Sequence, residues 1–304
     1  MENIIKFYNN KINNMLNDNK SKLIEAFVIY YGEDYRDYIT EKFNNMCFCW
    51  GISDFFNKSF QDRYKKIIES KPLYLLDEFK RVKSLCELDD SSVLGFSNDN
   101  IIKYSNLIKY IIKSNNKITA YNGTFLYKEE IVKFIYFDMF LSSDEEIIHE
   151  INHYIINNVL ATLTMDNKNF LISTNGVSSF GNEKVLFEEL LNEKSSMEIV
   201  KIFKSLGGNL TWNKELIFKS SNKYKKFLPL VESFYTKYKD ILKDVRISED
   251  TNILYKYVDK DIYLKYIKFI DECAKIYKGV EIPKEHITLC ESLCNAMDRN
   301  VKKI

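Results

Sequence analysis

The chain has 304 residues, enough for two domains or one large one. At 45% hydrophobic and 29% charged it has the composition of an ordinary soluble globular protein. Lys+Arg 44 against Asp+Glu 43 leaves a formal net charge of +1, which gives no electrostatic case for a nucleic-acid or membrane partner.

With only 9 Gly and 3 Pro the chain has little loop punctuation and should be mainly helical. No apolar run of ~18 residues or more suggests a membrane span. The start, Met1-Glu2-Asn3-Ile4-Ile5-Lys6, lacks the basic-then-apolar layout of an export signal, so a cytoplasmic location is expected. The six cysteines, Cys47, Cys49, Cys86, Cys273, Cys290 and Cys294, then read as reduced thiols. The abundance of Lys, Asn, Ile and Tyr suits an AT-rich bacterial coding genome, which concerns codons and not function.

In chain order, Ile4, Ile5, Tyr8, Ile12, Met15 and Leu16 have helix period over residues 2–20. Ser21 can cap a second helix stopped at Gly32, and a third carries Tyr35, Tyr38, Ile39 and Phe43. Residues 46–56, dense in aromatics and cysteine, should be buried. Further helices are predicted at 59–70, at 72–88 with Pro72 in the first turn, and at 99–113, with a loop over 89–98. The texture changes near 116. Asn122-Gly123, between Lys117–Tyr121 and Thr124–Tyr127, is the strongest short hairpin signal. Residues 131–140 read as a strand, and 160–165 with 170–174 as a second hairpin. Residues 210–304 return to helices, including 224–245, 262–277 and a last one opened by Pro283.

Between these strands lies His149-Glu150-Ile151-Asn152-His153. Ser143 with Glu146 three residues later reads as a capping box, so a helix starts here. At 100° per residue Ile147, Ile148, Ile151, Tyr154 and Ile155 share one arc, and His149, Glu150, His153 and Asn157 share the opposite one. Two imidazoles four residues apart can bind one metal ion, usually zinc, and the glutamate after the first can take a proton from water. Catalytic zinc takes a third protein ligand. On the predicted helix near 183–205, Leu186, Leu190, Met197 and Val200 form a stripe with Glu193 in its middle, where a carboxylate is costly unless paired or metal-bound. Glu193 is therefore the first candidate and Glu189, at the edge, the reserve; Glu188 points away. His286, Cys290 and Cys294 recur every four residues on the last helix, but one row of ligands on one helix reads better as buried packing than as a second metal site.

The stretches IIHEINHYI and LLNEKSSMEI together resemble the gluzincin group of zinc metallopeptidases, to which thermolysin and anthrax lethal factor belong. The resemblance covers about residues 117–205. Together with the elements read above, this gives an α+β, mainly helical chain: a core over 116–208, zincin-like by the resemblance, with a small, mostly antiparallel sheet, flanked by helical regions at 1–115 and 209–304. The resemblance implies one Zn2+ per chain held by His149, His153 and Glu193, with Glu150 as general base. The substrate would be a peptide or protein, laid against an edge strand within 132–138. Tyr224 is a candidate second oxyanion donor. The acidic residue that many members carry four after the ligand is Met197 here, with Glu198 next to it. The alternative is a non-catalytic helical interaction or regulatory protein on a zincin-like fold.

Overall fold

A computed structural model describes residues 2–53, 73–88, 93–114, 119–165, 168–177, 185–210, 224–277 and 280–299. The protein is α+β and mainly helical, with a small mixed four-stranded sheet and a separate two-stranded hairpin. It partitions into two compact units. Met1–Ile29, Asp34–Ile151 and Ile202–Ser220 form the first; Tyr30–Glu33, Asn152–Lys201 and Ser221–Ile304 form the second. The sequence reading has three consecutive regions, whereas these units interleave along the chain. Among the described residues no helix is long and apolar enough to cross a membrane.

The first unit opens with most of α1 (Glu2–Tyr31). It buries Tyr8, Ile12, Leu16, Leu23, Ala26 and Phe27. The predicted break at Ser21 is absent, because the apolar period carries through it. Asn19 fills the phase between Leu16 and Leu23 and is tied to Asn209 by two hydrogen bonds of 3.0 Å. Next, α2 (Arg36–Asn44) buries Ile39 and Phe43. The stretch after it, flagged from sequence only as buried, forms strand β1 (Phe48–Gly51), buried along its whole length. Such a strand shows no alternation by which to recognise it. The helix predicted at 59–70 lies outside the described residues, and α3 spans Leu73–Cys86. Within the predicted loop the two residues of β2 (Gly95–Phe96) pair antiparallel with β1. The predicted 99–113 helix is a 3-10 segment, Asp99–Tyr104, followed by α4 (Ser105–Ser114).

Strands β3 (Ala120–Tyr127) and β4 (Glu130–Asp138) form a hairpin whose turn is not at Asn122-Gly123. The chain runs straight through that pair and turns at Lys128-Glu129, both at positive φ (48° and 68°), as a two-residue hairpin turn requires. Gly123 serves a different need: a Cβ there would lie 2.3 Å from the Phe134 ring. The sheet order is β2-β1-β4-β3, with β1 parallel to β4. The strand expected to receive substrate, 132–138, is therefore internal, and among the described strands β3 is the outer neighbour of β4.

β4 ends on Asp138, fully buried, whose carboxylate accepts N–H bonds from Ser53 (2.5 Å), Phe140 (2.7 Å) and Leu141 (2.8 Å). This carboxylate folds the turn into α5 (Asp144–Ile156). Asp138→Ala strands three buried donors at about 1–3 kcal/mol each, so urea unfolding at pH 7 should show at least ~3 kcal/mol lost. A loss below ~1 kcal/mol would mean the turn forms without it. Burial pushes the Asp138 pKa up to about 6, against those three bonds. A folded-state pKa above the unfolded value of about 4 means a proton is taken up on folding. That contribution is full below about pH 4 and is lost as pH rises to about 6, so the wild-type urea midpoint should fall across this window more than that of Asp138→Ala.

The predicted capping box closes α5 in both directions. The Ser143 N–H donates to Glu146 Oε2 (2.8 Å) and the Glu146 N–H to Ser143 Oγ (3.3 Å).

In the second unit, β5 (Asn157–Met165) and β6 (Lys168–Asn175) form the second predicted hairpin. Most of α6 (Val185–Ser205) belongs here, followed by a 3-10 segment (Lys225–Leu230), α7 (Glu232–Ser248), α8 (Thr251–Tyr255), α9 (Lys260–Ile276) and α10 (Lys284–Ala296). Pro229 sits in the 3-10 segment, so the helix predicted from 224 begins only at Glu232. Pro283 immediately precedes α10, as predicted. The core centres on Phe187, Phe234, Tyr263 and Tyr266, whose rings meet at centroid distances of 5.4–6.0 Å.

Candidate metal centre

The unit boundary falls inside α5, between Ile151 and Asn152, but the helix is unbroken. His149 and His153 therefore keep their one-turn spacing. Both are buried, at 7% and 4% exposure, while Ile147, Ile148, Ile151, Tyr154 and Ile155 are buried on the other arc. His153 shares the second unit with α6, and its Nε2 lies 3.3 Å from Glu189 Oε2. One atom each of His149, His153 and Glu189 lies within 4.8 Å of the others.

This donor set suits a borderline-soft divalent ion. Zinc bonds of about 2.0–2.2 Å put neighbouring ligand atoms of a tetrahedron about 3.3–3.5 Å apart, matching the His153–Glu189 separation. Two imidazoles and one carboxylate leave the fourth position open, which is the pattern of a catalytic rather than a structural site.

Glu189, the reserve candidate, is thus the carboxylate that the structure brings to the histidines. Glu193 lies one turn further along α6, at 4% exposure, and is not among the three. α6 has no single apolar stripe: Phe187, Glu188, Leu190, Leu191, Asn192, Glu193, Ser195 and Ser196 are all buried. Glu188 is not among the three and forms a buried ion pair with Arg246 at 2.7 Å. Tyr224 packs against the aromatic core at the start of the 3-10 segment. Cys290 and Cys294 are core residues, and His286 stacks on Phe269 at 5.4 Å. Among the described residues the group able to hold a metal includes none of these three.

Glu150 accepts a hydrogen bond from the backbone N–H of Asn122 at 2.8 Å. The Thr119 carbonyl accepts from Asp138 N, so odd residues of β3 bond β4 and the N–H of Asn122 points outward from the edge. The motif glutamate and an outward edge group are therefore adjacent.

Sequence reasoning missed Arg246. It is one of five arginines among 44 basic residues, set between Val245 and Ile247, and that rarity was the available signal. Burial alone would lower its pKa, but the Glu188 carboxylate beside it raises it, and the guanidinium stays charged. Burial raises the pKa of Tyr31, whose hydroxyl stays protonated and donates to Asn152 Oδ1 at 2.7 Å.

No family model, curated protein or solved structure matches the chain.

Proposed function

We propose that this protein is a zinc-dependent metallopeptidase on a zincin-like core, with His149, His153 and Glu189 as ligands and Glu150 as general base. The observation that carries the reading is the closure of two helix-spaced imidazoles and a carboxylate within 4.8 Å, beside a glutamate on the same helix. With Glu189 as ligand the residue four after it is the acidic Glu193 (193 − 189), while the Asn192-Glu193 pair no longer carries the ligand.

The chemistry zinc supplies when bound is Lewis acidity, which makes water nucleophilic near neutral pH. Glu150 takes the proton of the attacking water as its oxygen adds to the scissile carbonyl carbon. The same carboxyl group returns that proton to the amine nitrogen as the C–N bond breaks. An extended peptide pairs with the outward N–H and C=O groups of β3, which sets the scissile bond beside Glu150.

Elemental analysis of purified protein should find near one zinc per chain, and the zinc-loaded protein should cleave an unfolded protein mixture read by mass spectrometry. No zinc even after reconstitution would overturn the reading in favour of a helical interaction protein.

A further inference from the structure

On the reading that the centre binds metal, we propose that Arg246 is its positioning residue, setting α5 and α6 so that His153 and Glu189 present their ligand atoms together.

Arg246, on α7, is 2% exposed and cannot reach a substrate. Its guanidinium makes four bonds. Nε and Nη2 donate to Glu188 Oε1 (3.0 and 2.7 Å), Nη2 also to Asn192 Oδ1 (2.8 Å), and Nη1 to Ser195 Oγ (2.7 Å). The second Glu188 oxygen accepts from the Val177 N–H at 2.9 Å. That approach requires Gly176 next to it, where a Cβ would lie 2.6 Å from the carboxylate. Ser195 Oγ also accepts from Asn152 Nδ2 (2.9 Å) and donates to the Leu191 carbonyl (2.9 Å), which uses its full capacity. Asn152 in turn accepts from Tyr31.

Two members of the network adjoin residues of the centre: Glu188 precedes Glu189, and Asn152 precedes His153. Neighbours on a helix diverge by about 100°, so the network grips both helices from the flank while the next residue faces the metal. A buried ion pair is a poor source of stability, since apolar packing does as well or better. All four guanidinium bonds go to α6, and Ser195 Oγ, which accepts from both Arg246 and Asn152, carries the hold on to α5. What this saturated network supplies is a fixed placement of the two helices, which a metal centre needs to within about 0.5 Å.

The test uses full-length Ser195→Ala and Arg246→Lys, with Ile267→Val as a core variant outside the network. Fold is followed by circular dichroism, zinc affinity by chelator competition, and ligand geometry by the visible spectrum of the cobalt(II) form. Lysine keeps the charge but cannot reproduce four bonds to three acceptor atoms. We expect zinc affinity to fall roughly tenfold in Ser195→Ala and 10–100-fold in Arg246→Lys, with an altered cobalt band, in proteins that stay folded. Ile267→Val should keep wild-type affinity. Wild-type affinity and spectrum in Ser195→Ala and Arg246→Lys would overturn the proposal and leave Arg246 as packing; if Arg246→Lys does not fold, Ser195→Ala decides alone. A wild type that binds no metal would overturn the proposed function itself and this inference with it.

Discussion

Glu150→Gln should keep one zinc per chain and lose peptide hydrolysis by about 10²–10⁴-fold, the usual contribution of a positioned general base. The amide is nearly isosteric with the carboxylate and cannot accept the proton. Its oxygen can still accept from the Asn122 N–H, which the carboxylate now holds at 2.8 Å, so the link between α5 and the edge of β3 survives. A lost rate with intact metal and fold would then isolate proton transfer as the missing step. Glu150→Ala removes the link as well, and should add a weaker apparent affinity for extended peptides to the lost rate. Steady-state kinetics on one cleaved peptide, with zinc content measured on the same samples, separates the two. An unchanged rate in Glu150→Gln would sink the assignment.

The parts of this centre that were legible in sequence are those built from neighbours. Ser143 and Glu146 are three residues apart and cap the helix as their spacing predicts. His149 and His153 are four apart and close on one face. The parts that were not legible depend on what lies across space. Asn122-Gly123 has the chemistry of a turn, but Gly123 is required by the Phe134 ring and the Asn122 N–H is taken by Glu150. β1 hides because burial on both faces erases its period. Glu189 and Glu193 lie on one face of α6, and only the approach of His153 tells them apart. Arg246 is 58 residues from Glu188, so no local pattern joins them.

His153→Ala should abolish stoichiometric zinc, and the two carboxylate variants should then rank the ligands of α6. Structural zinc sites with four ligands bind with about 10–16 kcal/mol, or about 3–4 kcal/mol per ligand. Loss of one ligand therefore weakens binding by roughly 10²–10³-fold, at about 1.4 kcal/mol per tenfold. Glu189→Ala is expected to show that full loss by chelator competition. Glu193→Ala is expected to show at most 10–100-fold, the effect of a carboxylate that orients a ligand without touching the metal. The two positions are four residues apart, about 6 Å along the axis. That is more than twice a zinc–oxygen bond of about 2.0–2.2 Å, so the carboxylate closer to the histidines has the advantage. In the structure Glu189 Oε2 lies 3.3 Å from His153 Nε2 and completes the group of three. The reverse ranking would move the third ligand to Glu193 and require His153 and Glu189 to part on metal binding; equal losses would mean that both carboxylates coordinate and that the fourth position is closed to water.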